Sequence, residues 1–301
     1  MNDNQPTRYF DYSGRDDVLS GGVKMIPIET SKGVFRVWMK RIGNHPTMKV
    51  LLLHGGPGAT HEYLEAFDSC FPAAGIEYYY YDQLGSAYSD QPNEPELVDL
   101  GRFVEEVEQV RKALKLDREN FYLYGQSWGG MLSIEYALKY QQHLKGLIIS
   151  NMMASGPLYN QYAKEVLMPG MDQAALSEIQ GYEAAQDYDN PRYMELLIPH
   201  YYVYHILRMP IEAWPEPVTR SFKRINTNVY IPMQGPSELG ASGVLADWDR
   251  TADLGEDYSA LFGDWRSTRH DGSKAHGMDG KHRSTWTIPI LPKWQSSCAI
   301  R

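Results

Sequence analysis

Residues 121–138 read FYLYGQSWGGMLSIEYAL: a β-rich run that stops at Gly125, a serine between glycines, and a helical pattern directly behind it. Strand, tight turn and helix in that order constrain the chain more than any other stretch. A serine at such a turn sits in a strained backbone, and side chains two positions away on either side would collide, so Gly125 and Gly129 have a steric reason to be glycine. The helix behind it aims its first N–H groups at the same spot, where they favour developing negative charge. Ser127 is therefore a candidate nucleophile. The pentapeptide alone says little, because Gly and Ser are common; its flanks give it weight.

Other segments repeat the theme. KVLLLHGGPG and IEYYYYDQLGSAYS are short apolar or aromatic runs closed by glycine-rich turns, the pattern of parallel strands covered on both faces. Between them and Ser127, Phe103, Val107, Val110 and Leu114 fall on one face of a helix predicted over 97–116. MIPIETSKGVFRVWMKRIG predicts a β-hairpin, and LKGLIISNMM a further strand. Alternating strands and helices build a doubly wound, mostly parallel sheet, an α/β fold. Residues 1–22 read as a flexible extension and 23–150 as the first part of the core. Residues 151–250, rich in Met, Tyr and Trp without strand runs, read as a helical cap, and 251–301 as an aberrant tail.

A second glycine-rich turn, His54-Gly55-Gly56-Pro57-Gly58, follows a strand and can aim the Gly56 N–H at an oxyanion, with the Trp128 N–H as second donor. His54 is expected to buttress that loop rather than act as base. LLLHGGPGATHEYLEAF, YYYDQLGSAYSDQP, YGQSWGGMLSIEYALKYQQHLKGLIISNMMAS and MQGPSELG together resemble the proline iminopeptidases, α/β-hydrolases that release N-terminal proline from peptides. The resemblance covers about residues 24–255. It implies an acyl-enzyme mechanism without metal or cofactor and a small peptide partner carrying a free N-terminal proline. It also implies cap carboxylates that receive the charged amine, at Glu195 and Glu238, with Trp128 and cap aromatics around the pyrrolidine ring. A related reading keeps the fold and exchanges the substrate for an ester or amino-acid amide.

Charge and composition narrow the partners. A formal net charge of −9 and the lack of a basic stripe argue against nucleic acid. Cys70 and Cys298 offer no disulfide framework, and the nine histidines form no HExxH pair, so no metal site is expected. The polar first residues do not read as a secretory signal, and no apolar run approaches a membrane span. The expectation is a cytoplasmic protein away from membranes, a periplasmic address remaining open. Oligomeric state is not set by the sequence.

The tail breaks the pattern. The resemblance calls for an aspartate and then a histidine after the serine, in segments similar to GARYDTMDP and NGSH, and neither occurs. His270, His276 and His282, with Asp271, are poor substitutes. Yet when each codon is read from its second base, with synonymous codons chosen freely, Asp264 through Lys281 yields IGARHDTMDPKHMEWMAN. Trp286 through Ile300 likewise yields GRYLYCPNGSHLAQY. Each out-of-frame position admits only a few residues, so two family-like strings in the right order predict a frameshift near residue 256. The missing aspartate codon straddles Arg269 and His270, and the missing histidine codon Ser296 and Ser297. The last strands of the sheet are then expected to be missing or disordered. The rival reading of the chain as written is a catalytically silent or misfolded product.

Overall fold

The computed structural model describes residues 9–253. Six strands form one sheet: β1 (Val23–Thr30), β2 (Gly33–Ile42), β3 (Lys49–Leu53), β4 (Glu77–Tyr81), β5 (Phe121–Gln126) and β6 (Gly146–Ser150), in spatial order β1-β2-β4-β3-β5-β6. The hairpin β1–β2 and the pair β2–β4 are antiparallel; from β4 through β3 and β5 to β6 every pairing is parallel. Two helices link the parallel strands, α1 (Leu100–Ala113), capped by Asp99, and α2 (Trp128–Tyr140).

Side-chain alternation divides β3 between two apolar layers. Leu51 and Leu53 face α1 and α2, meeting Phe103, Val107 and Val110, whereas Val50 and Leu52 face Leu64 and Phe71 on the other side. Each such side chain, fully withdrawn from water, contributes about 1.5–3 kcal/mol. The four consecutive tyrosines of β4 are buried in both layers and end on carboxylates. Tyr78 and Tyr80 donate to Asp68, Tyr79 to Glu77 and Tyr81 to Glu106. Buried hydroxyls need such acceptors.

Residues 9–22, read from sequence as part of a flexible extension, are instead tied to the sheet. Arg41 of β2 donates from Nε and Nη2 to Asp17 at 2.9 and 2.6 Å, with both side chains at most 4% exposed, and the Tyr9 hydroxyl donates to Ile76 O at 2.9 Å. These partners lie 24 and 67 residues away, so no local pattern announced them. Asp17→Asn leaves the Arg41 charge buried without compensation and is expected to cost about 3–5 kcal/mol, read from the urea midpoint. An unchanged midpoint would show that the ion pair does not anchor this segment.

After β6 the chain makes a helical excursion: α3 (Gly156–Tyr162), α4 (Gln173–Ala185), α5 (Pro191–Leu197), α6 (Val203–His205), α7 (Glu216–Lys223) and α8 (Thr227–Met233). Its ends meet where Ser155 pairs with Asp249, and Arg250 and Trp248 then bind Glu135 of α2. The excursion has an apolar core of its own, built from residues such as Ile179, Tyr193, Leu197, Tyr201 and Leu239. It docks at the C-terminal ends of the strands, where Arg224 and Arg220 grip Glu62 and Glu65. No helix among the described residues is long and apolar enough to cross a membrane. The expected loss of the final strands and the tail candidates His270, Asp271, His276 and His282 lie outside the described residues.

Candidate active site

The turn between β5 and α2 has the strain that its sequence implies. Ser127 adopts φ 54° and ψ −125°, a positive φ that side chains other than glycine rarely accept. Its own N–H donates to Ser150 O of β6 at 3.0 Å, and its carbonyl accepts from Gly130 N at 2.8 Å. A methyl group on Gly125 would overlap Gly129 O and Ser133 Oγ, and one on Gly129 would overlap Leu53 O, so α2 crosses the sheet at backbone contact. Ser127 is half-buried, and among the described residues its side chain accepts no helix-capping hydrogen bond.

The loop His54–Gly58 arches over this turn. Gly55 approaches so closely that a Cβ on it would lie 3.1 Å from the Ser127 Cβ. Gly56 has φ +111°, and a Cβ there would press on the Ala59 and Gly58 nitrogens at 2.6 and 2.9 Å. Two hydrogen-bond chains brace the loop against the residues flanking Ser127. Gly55 N donates to the Tyr63 hydroxyl, which donates to Gln126 Oε1, both at 2.6 Å. The Trp128 indole donates to Gln83 Oε1 at 2.8 Å, and Gln83 Nε2 donates to His54 O at 3.1 Å. The expectation that the Trp128 ring lines a substrate pocket is therefore corrected. The ring is buried against Phe103 with its N–H consumed by Gln83.

His54 is buried, and burial pushes its imidazole below the usual range, keeping it neutral. Nδ1 meets Gly55 O at 2.8 Å and Nε2 accepts from Gln83 N at 3.2 Å, so both nitrogens are engaged. His61 is held by Asp82 at 2.8 Å and stacked on Trp38. Among the described residues no histidine hydrogen-bonds to Ser127, and no group of three His, Cys, Asp or Glu could hold a metal.

The two cap glutamates part company. Glu238 is half-buried; Tyr230 donates to its Oε1 at 2.6 Å and Tyr159 to its backbone carbonyl at 2.5 Å. Burial first, and the Glu238 charge second, push the hydroxyls of Tyr159, Tyr201, Tyr202 and Tyr230 upward; of these, Tyr230 bonds the carboxylate itself. Burial also raises the Glu238 carboxyl above its usual range, with the Tyr230 hydrogen bond opposing. Among the described residues no Lys, Arg or His forms an ion pair with it. Glu195 is different: α5 buries Tyr193, Leu196 and Leu197, which turns Glu195 outward, 64% exposed and 3.8 Å from Arg192. The carboxylate that reaches the Glu238 segment is Glu183 of α4, which accepts from Tyr193 at 2.7 Å and from Ser237 at 3.0 Å. Sequence reasoning missed it, since nothing near Glu183 marks it beyond a helical pattern.

A family model described as the alpha/beta hydrolase fold matches residues 49–190. A proline iminopeptidase of Chitinophaga pinensis is 55% identical over 232 residues, covering 77% of this chain and 78% of the relative. One of Elizabethkingia meningoseptica is 58% identical over 227 residues, covering 75% of each. The crystal structure of VinJ superposes with a TM-score of 0.68 at 30% identity, covering 75% of this chain and 76% of that one.

Proposed function

The chain belongs to the proline iminopeptidases, hydrolases of the α/β fold, and from that premise we propose how its residues divide the work. Ser127 attacks the carbonyl of an N-terminal prolyl residue, forming an ester to Oγ as the peptide amine departs. The Gly56 and Trp128 N–H groups hold the oxyanion. Losing one such donor typically costs roughly 100- to 1000-fold in rate. Glu238 receives the proline's secondary ammonium beside the Tyr230 hydroxyl that it accepts from. A carboxylate that demands a free amino terminus excludes interior peptide bonds. Glu195 has no part in this arrangement; Glu183 steadies the Glu238 segment through Ser237.

The observation that carries the reading is Glu238 itself: a half-buried carboxylate that accepts from the Tyr230 hydroxyl and lacks a cationic partner among the described residues. Burying a charge is costly unless it is paired, and a substrate ammonium supplies the pair. The proton from Ser127 needs a base, and we infer that the reading frame of the tail has lost it, so that the chain as written binds better than it turns over. Accordingly, L-prolinamide at a hundred times its Kd is expected to raise Tm by roughly 5 °C. N-acetyl-L-prolinamide, which has no ammonium, should leave Tm unmoved. Equal shifts from the two ligands would remove Glu238 from amine recognition.

A further inference from the structure

Asn226 hydrogen-bonds the cap to the oxyanion loop, four residues before the tyrosine that holds Glu238. Asn226 caps α8 by accepting from Asn228 N at 3.0 Å. Its backbone N–H donates to Gly58 O at 2.9 Å, and its side-chain amide donates to Gly85 O at 2.8 Å. A single cap residue thus clasps both glycine-rich loops that close strands β3 and β4.

Contact reinforces the clasp. A Cβ on Gly58 would lie 2.8 Å from Asn226 O and 3.1 Å from the Val229 Cβ, and one on Gly85 would lie 2.7 Å from Val229 Cγ2. Both glycines have positive φ, +74° and +89°, so neither loop admits a side chain here on conformational or spatial grounds. One turn further along the helix, Tyr230 N donates to Asn226 O at 2.9 Å while its hydroxyl holds Glu238 at 2.6 Å. The path from the Glu238 carboxylate to Gly58, two residues from Gly56, therefore runs through one side chain and one helical turn.

We propose that α8 is a strut coupling amine recognition to the oxyanion hole, with Asn226 as the positioning residue that fixes Gly58 and Gly85 from the cap. Filling the Glu238 site restrains Tyr230, Tyr230 restrains the first turn of α8, and Asn226 passes the restraint to the loop that carries the Gly56 N–H. Such coupling is reciprocal: a loop held in place favours the amine as much as the amine favours the held loop. The proposal rests on the amine reading of Glu238, and its test separates the two.

The test is hydrogen exchange by mass spectrometry on the full chain, with and without L-prolinamide, following peptides that cover residues 54–60 and 83–89. In the wild type the ligand should slow exchange there by about fivefold, the lower end of typical coupling between sites. Asn226→Asp keeps the helix cap but loses the donor to Gly85. In that variant the ligand-dependent slowing should vanish at residues 83–89 and persist in part at 54–60, where the backbone bond from Asn226 N to Gly58 O is retained, and Kd for L-prolinamide should rise. Val229→Ala keeps every hydrogen bond and thins only the contact with the two glycines; it should give a partial loss and serves if Asn226→Asp does not melt cooperatively. Slowing in both variants equal to that in the wild type would overturn the strut, as would faster exchange with the ligand effect intact, which marks a merely structural residue. Binding to the wild type without slowing at 54–60 overturns the strut and leaves the amine site standing, whereas no binding at all overturns both.

Discussion

Restoring the reading frame near codon 256 is expected to raise kcat/KM on a chromogenic prolyl substrate by about a millionfold over the chain as written, the scale seen when a serine hydrolase loses its base. Among the described residues Ser127 has its strained turn and the braced His54–Gly58 loop beside it, but no histidine hydrogen-bonded to it. Without a base the hydroxyl is a weak nucleophile at neutral pH, and what remains is residual acceleration from the oxyanion hole. The one-base correction replaces Arg269-His270 and Ser296-Ser297 with segments containing an aspartate and a histidine. Its product should lose the gained activity on Ser127→Ala. Equal rates for the corrected and uncorrected chains, or a gene whose shifted frame does not spell those segments, would end the frameshift reading.

The same correction bears on the sheet. β6 is the last strand among the described residues, and all five of its residues, including Leu147, Ile148 and Ile149, are half-buried rather than covered as in β3 and β4. Parallel strands are ordinarily covered on both faces, and an apolar edge invites association with other chains.

What was legible in the sequence is what local chemistry dictates. The runs that became β3, β4 and β5 end in glycine turns, and both the Ser127 turn and the Gly56 loop announce themselves, because their steric demands act within a few residues. The helix predicted over 97–116 formed as α1 over Leu100–Ala113, since Asp99 caps it and the preceding Pro95–Leu97 makes a separate 3-10 turn. What was hidden depends on distance along the chain. Asn226 reaches Gly85 across 141 residues, Gln83 reaches the Trp128 indole across 45, and Glu183 reaches Ser237 across 54. That Glu195 faces outward was hidden because the register of a short helix decides which of its residues are buried, and the aromatic pattern around α5 does not reveal it.

Glu238→Gln in the frame-corrected enzyme should lower kcat/KM for a prolyl peptide by roughly a hundred- to a thousandfold, because removing one partner of a buried charge pair costs about 2–5 kcal/mol. An acyl ester without an amine should change by less than about threefold, since it never used the charge. Stability moves the other way. The folded state holds the Glu238 carboxyl above its ordinary value of 4.5, so the unliganded fold is unburdened below 4.5 and loses stability as pH rises through the raised value. Glutamine escapes that loss: the variant should melt higher than the wild type at neutral pH, and the gap should close as pH falls toward 4.5. Amine binding needs the ionised form, so prolinamide affinity should weaken on acidification at a pH above 4.5, in the range where the stability gap narrows. A variant that is less stable at neutral pH, or that keeps full prolyl activity, would mean that the Glu238 carboxylate is structural and that the amine is held elsewhere.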